Sequence, residues 1–151
     1  MIAAQNCKTV FCVFPQAIKD NTAWVGTTGS TPVAVDCLGF HYACFNWVVG
    51  ATDIAQASLI VNSDEDSALG SVTAIYTFGA TGKMALPTST DDNGLWKLWI
   101  DLRKVERYLC VTAVAGDGAA GAYACGWFDL WRGDIAPTSA TQHGLVAQDY
   151  I

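Results

Sequence analysis

The chain has 151 residues, enough for one domain with its own core and too few for two. Hydrophobic residues make up 52% and charged ones 15%, which excludes disorder and leaves a charge-poor surface of the kind that packs against other subunits. A formal net charge of -6 with eight Lys and Arg offers no basic stripe to phosphates, and no apolar stretch nears the roughly 18 residues of a membrane-crossing helix, so neither nucleic acid nor a membrane is an expected partner.

Helical spacing of apolar residues behind a capping residue is missing throughout. Short segments rich in Val, Ile, Thr, Tyr, Phe and Trp recur instead, between clusters of Gly, Asp, Asn and Ser, as in sandwiches and barrels. Residues 1–21 hold an apolar patch, 10–14, that stops at Pro15 before a polar turn at Lys19, Asp20 and Asn21; the segment reads as an edge strand or as an arm reaching a neighbour. No basic start and apolar run of a secretory leader is found at residues 1–8. Trp24 and Val25 lead into a turn at 26–30, and 33–36 is a short strand. Residues 40–49 are apolar on both alternating faces, with Tyr42, Cys44 and Val48 on one and Ala43, Phe45, Trp47 and Val49 on the other. Such a strand is central in its sheet or covered by another subunit.

Residues 57–61 are the expected pairing strand, 62–66 an acidic loop and 74–78 a further strand. Turn-rich stretches at 79–82 and 88–94 follow. From Leu95 the alternation is clean: Trp96, Leu98, Ile100 and Leu102 point one way, Lys97 and Asp101 the other with Trp99 between them. A charged corner at 103–107, a strand at 108–115, a glycine-rich turn at 116–121 and a strong strand at 122–131 complete the domain. The expected fold is all-β: a single jelly-roll-like β-sandwich of about eight strands over residues 22–132, with extended arms at 1–21 and 133–151.

Candidate chemistry is sparse. The six cysteines, Cys7, Cys12, Cys37, Cys44, Cys110 and Cys125, contain no C-x-x-C pair, and neither His41 nor His143 stands at zinc-finger distance from them. They read as reduced core thiols of a protein made in a cytoplasm. Asp64, Glu65 and Asp66 lack the spacing of a calcium loop, and Asp91, Asp92 and Asn93 suit a turn. Nothing sets a nucleophile beside a base, so no catalytic residue, metal or cofactor is expected, and His41 reads as a packed histidine. The six tryptophans carry more information, because tryptophan anchors both protein interfaces and sugar-stacking platforms. Candidate contact residues are Val10, Phe11, Phe14, Trp99, Trp131, Arg132, Ile135 and Pro137.

Over residues 95–144 the chain resembles small virion proteins of tailed bacteriophages. The elements carrying the likeness are the corner Asp101, Leu102 and Arg103; Arg107, Tyr108 and Leu109 opening a strand; the turn Gly116, Asp117 and Gly118; Ala122 and Ala124 in the next strand; and Arg132 ahead of Ala136, Pro137 and Ala140. The resemblance implies a jelly-roll or sandwich subunit of the virion: a decoration or cement protein on the capsid surface, or a component of the head-to-tail region. Its expected partners are the major capsid protein and further copies of itself, a homotrimer being favoured. The alternative drawn from the tryptophans is a carbohydrate-binding module on a phage fibre or spike.

Overall fold

A computed structural model describes residues 7–26 and 31–132. Among these residues nine strands run in the order β1 (Cys7–Val13), β2 (Ala23–Trp24), β3 (Val35–Asp36), β4 (Tyr42–Val49), β5 (Ser58–Asp64), β6 (Thr73–Thr77), β7 (Leu95–Asp101), β8 (Tyr108–Val114) and β9 (Ala124–Trp131), with a turn of 3-10 helix at Leu102–Lys104. Every pairing between strands is antiparallel.

The pairs are nested: β1 with β9, β2 and β3 with β8, β4 with β7, and β5 with β6. The chain is therefore one long hairpin whose tip is the loop between β5 and β6. Rolling that hairpin up adds the pairs β4 with β9 and β5 with β8, giving sheets ordered β1-β9-β4-β7 and β2-β8-β5-β6. With β2 and β3 counted as one interrupted strand along β8, this is the eight-stranded jelly roll.

The core lies between the sheets, filled by the inward half of each alternation. Phe45 of β4 packs against Phe128 of β9 and Phe78 beyond β6, ring centroids 5.1 and 6.3 Å apart. Trp47 meets Trp24 of the opposite sheet edge-on at 5.9 Å. Gly126 faces Trp47 across the β4–β9 ladder, and a Cβ there would lie 2.7 Å from the indole, so this position takes only glycine if Trp47 is to lie flat over the sheet. The indole Nε1–H of Trp47 donates to Gln56 Oε1 at 3.1 Å, which satisfies a polar atom inside the core.

Several expectations change. Residues 57–61 do not pair with the strand at 40–49: they begin β5, in the opposite sheet, between β8 and β6. The stretch 62–64 is no loop but the continuation of β5, because its polar side chains find partners: Asn62 donates to Thr112, Ser63 to Glu106, and Asp64 accepts from the amides of Asp66 and Ser71. Of the N-terminal segment, Cys7–Val13 is an edge strand held along β9 in its own sheet, so this part is not an arm reaching a neighbour. The strand 40–49 is central in its sheet, between β9 and β7.

Candidate interaction face

Registers within the first sheet define what its outer surface presents. Crossing β1, β9, β4 and β7 in turn, one row holds Cys7, Trp131, Tyr42 and Asp101, and the next Thr9, Asp129, Cys44 and Trp99. Phe11, Trp127, Asn46 and Lys97 follow, then Cys125, Val48 and Leu95. Strands of seven or eight residues set about 4.8 Å apart make this face roughly 15 by 25 Å. Most of the residues along these rows are apolar.

Aromatic side chains dominate it. Phe11 packs at a tilt against Phe14 at 5.4 Å and against Trp127 at 6.0 Å, with Phe11 and Phe14 each more than a third exposed. Trp99 is 64% exposed and Leu95 52%, high values for large apolar side chains in regular strands. Two guanidinium groups lie over the Tyr42 ring, Arg103 at 5.3 Å and Arg132 at 5.7 Å from its centre, and Arg103 Nη2 donates to the Tyr42 hydroxyl at 3.1 Å. The Trp131 indole N–H is buried with no acceptor among the described residues.

A polar seam crosses the face. Thr9 Oγ1 donates to Asp129 Oδ1 at 2.6 Å, and Asn46 Nδ2 donates to Asp129 Oδ2 at 2.9 Å and to the Cys44 carbonyl at 3.1 Å. Asn46 is fully buried although it points outward from the sheet, because the surrounding side chains close over it. The seam ties β1, β9 and β4 together and leaves Asn46 no spare donor on its amide.

At one end of the face, Asp101 receives the Arg103 guanidinium at 2.8 and 2.9 Å and the Arg103 amide at 3.2 Å. These bonds hold its carboxyl down at about 2 and cap the 3-10 turn, which explains the Asp-Leu-Arg corner read in the sequence. The thiols on the face are shifted the other way. Burial pushes Cys7 up to about 11, with the Asp129 charge adding to it, and burial also raises Cys44 and Cys125. All three are protonated at neutral pH and poor nucleophiles. No two of the six cysteines are joined.

The second sheet presents a different outer surface: Asp36, Tyr108, Asp64, Asn62, Thr112 and Ser58, interrupted by Cys110, Ile60 and Val114. Arg107 clamps Asp36 there with two bonds of 2.9 and 2.7 Å and covers the Tyr108 ring at 4.9 Å. One side of the sandwich is thus aromatic and the other largely polar.

Of the candidate contact residues, Phe11, Trp99 and Trp131 stand on the aromatic face, with Phe14 against Phe11 and Arg132 over Tyr42. Val10 does not join them: it pairs with Phe128 on the inward side and packs on the core. Ile135 and Pro137 lie outside the described residues. Sequence reading missed Tyr42, Leu95 and Trp127 as parts of the same face. The alternation around Leu95 contained that signal for one of them, whereas Tyr42 and Trp127 join only through pairing across β9 and β4. Among the described residues no cluster of three His, Cys, Asp or Glu side chains is placed to hold a metal ion.

No protein-family model and no curated protein matches the chain. Among solved structures, a chain from work on Bacillus endospore appendages, described as a family of disulfide-linked pili, is similar at 10% identity with a TM-score of 0.45, covering 83% of this chain and 88% of that one.

Proposed function

We propose that this protein is a structural subunit that docks its aromatic sheet face onto a neighbouring protein of a larger assembly, and that the assembly is the virion of a tailed phage, with the major capsid protein as the neighbour. The observation that carries the docking surface is the exposure of Phe11, Phe14, Leu95 and Trp99 together on one sheet face, since such side chains recur as anchors in protein interfaces. What supports the phage assignment is the likeness of residues 95–144 to small virion proteins. No reaction is needed for such a role: association follows from buried apolar area, multiplied by avidity where copies repeat on a symmetric shell.

The test is cosedimentation of the protein with assembled heads of the phage that encodes it. Binding is expected to saturate, and to be lost in a Phe11→Ser, Trp99→Ser double variant whose melting temperature matches the parent. Equal binding by parent and variant removes the aromatic face from the proposal; no binding by the parent removes the capsid. A second reading rests on Trp99, whose exposed indole stands between Lys97 and the Asp101–Arg103 pair in the manner of a sugar-stacking platform. Titration with oligosaccharides, followed by tryptophan fluorescence, decides it: saturable quenching lost in Trp99→Ala supports a glycan ligand.

A further inference from the structure

Each sheet ends in strands with one neighbour, and such edges are commonly blunted by shortness, bulges or proline. In this sandwich β2 and β3 are two residues each, β6 has five with a register shift in its pairing, and β1 has a register shift between Phe11 and Val13. β1 is also covered at its end, where the Phe14 amide donates to the Gly26 carbonyl at 3.0 Å. β7 has none of these devices. It runs seven residues, Leu-Trp-Lys-Leu-Trp-Ile-Asp, without proline, glycine or register shift.

The ladder to β4 shows which groups β7 leaves unused. Val49 N–H donates to the Gly94 carbonyl and Leu102 N–H to the His41 carbonyl, at 3.4 and 3.0 Å. In an antiparallel ladder alternate residues bond to the partner, so Trp96, Leu98 and Ile100 face β4. Leu95, Lys97 and Trp99 turn their N–H and C=O groups away, and none of these finds a backbone or side-chain partner among the described residues; Asp101 turns its N–H the same way, while its C=O opens the 3-10 turn at Leu102–Lys104. Beside this edge the sandwich is open: a cavity of about 200 Å³ lies between β6 and β7, lined by Ile75, Tyr76, Leu98, Trp99 and Lys104.

We infer that β7 pairs antiparallel with β7 of a second copy, about a twofold axis at Trp99, joining two four-stranded sheets into one of eight. This register sets Trp99 against Trp99 of the second copy, and Lys97 of each copy against Asp101 of the other, so two opposite-charge pairs close where a shift of two residues would not align them. Leu98 then meets the second copy's Ile100 on the inward side, continuing the apolar row. Lys97, which alone would discourage edge pairing, thereby selects one register. The interface is isologous and closes at two copies, not the three expected from the sequence. It is independent of which assembly the aromatic face joins.

Sedimentation equilibrium of the full chain, from micromolar to millimolar concentration, tests this with Lys97→Asp and Asp101→Lys. The parent is expected to form a two-copy species. Each single variant sets like charges together twice and should weaken it about tenfold or more. An equal mixture of the two variants restores both pairs, one copy supplying both acids and the other both lysines, and should recover the two-copy species. Trp99→Ala should weaken the pair and Phe11→Ser leave it intact. A monomer at all concentrations, a trimer, or folded variants whose mixture fails to recover the pair overturns the inference. Should Asp101→Lys fail to fold without its 3-10 cap, Lys97→Asp, Trp99→Ala and Phe11→Ser decide alone: loss in the first two and retention in the third supports the pairing, and any other pattern overturns it.

Discussion

Asp101 joins the corner of the fold to its charge chemistry. Its carboxyl is held at about 2, below the ordinary 3.8, chiefly by the Arg103 guanidinium, so ionisation favours the folded state. That contribution is complete above about pH 4 and is lost as pH falls through about 2. Asp36, held down by Arg107, acts in the same direction. Melting temperature should therefore decline between pH 4 and 2, with a shallower slope in Asp101→Asn, measured by circular dichroism. The cysteines give an opposite signature. Cys7 should react with a thiol reagent slowly at neutral pH and about tenfold faster per pH unit until near 11, whereas fully buried Cys12 should react only on unfolding. In the core, Phe128→Ala should cost about 3–5 kcal/mol in urea unfolding and Gly126→Ala about 1–3 kcal/mol, through a cavity and a clash with Trp47 respectively.

At the scale of elements, β1 matters more to the fold than a terminal segment usually does. It carries Cys12 and Val13 into the core and Thr9 into the seam with Asp129, so removing residues 7–13 should abolish cooperative unfolding and not merely loosen a contact with a neighbour. The clamp between Arg107 and Asp36 joins the β3–β8 pair, but both side chains are near half exposed, so Arg107→Ala should leave the melting temperature nearly unchanged. Strands whose faces differ in burial could be read from the chain: β7 and β9 alternate because one side meets the core and the other does not. The end of β5 could not. Asn62, Ser63 and Asp64 resemble a loop until β8, the corner before it and the following turn supply their hydrogen-bond partners.

For the whole molecule, the decisive property is the difference between its two outer surfaces, one aromatic and one largely polar. Composition already pointed to a surplus of apolar over charged surface, because charged residues make up only 15%. What local pattern could not supply was where that surplus goes. Phe11 in β1, Trp127 in β9 and Trp99 in β7 are far apart in the chain and share a face only because β9 and β4 lie between β1 and β7. Val10 was misplaced for the same reason: its neighbour in register is Phe128 of β9, which points inward.

The sequence by itself determined an all-β sandwich of about eight strands and the interior side of its clearest strands, because period-two alternation and turn chemistry act within a few residues. Only the tertiary structure decided which strands pair, in which order they lie in each sheet, that β7 is left as a regular open edge and that the aromatic residues converge on one sheet. Those outcomes depend on register between residues far apart in the chain, as in the bond from Thr9 to Asp129 across 120 positions, and long-range register leaves no trace in local periodicity.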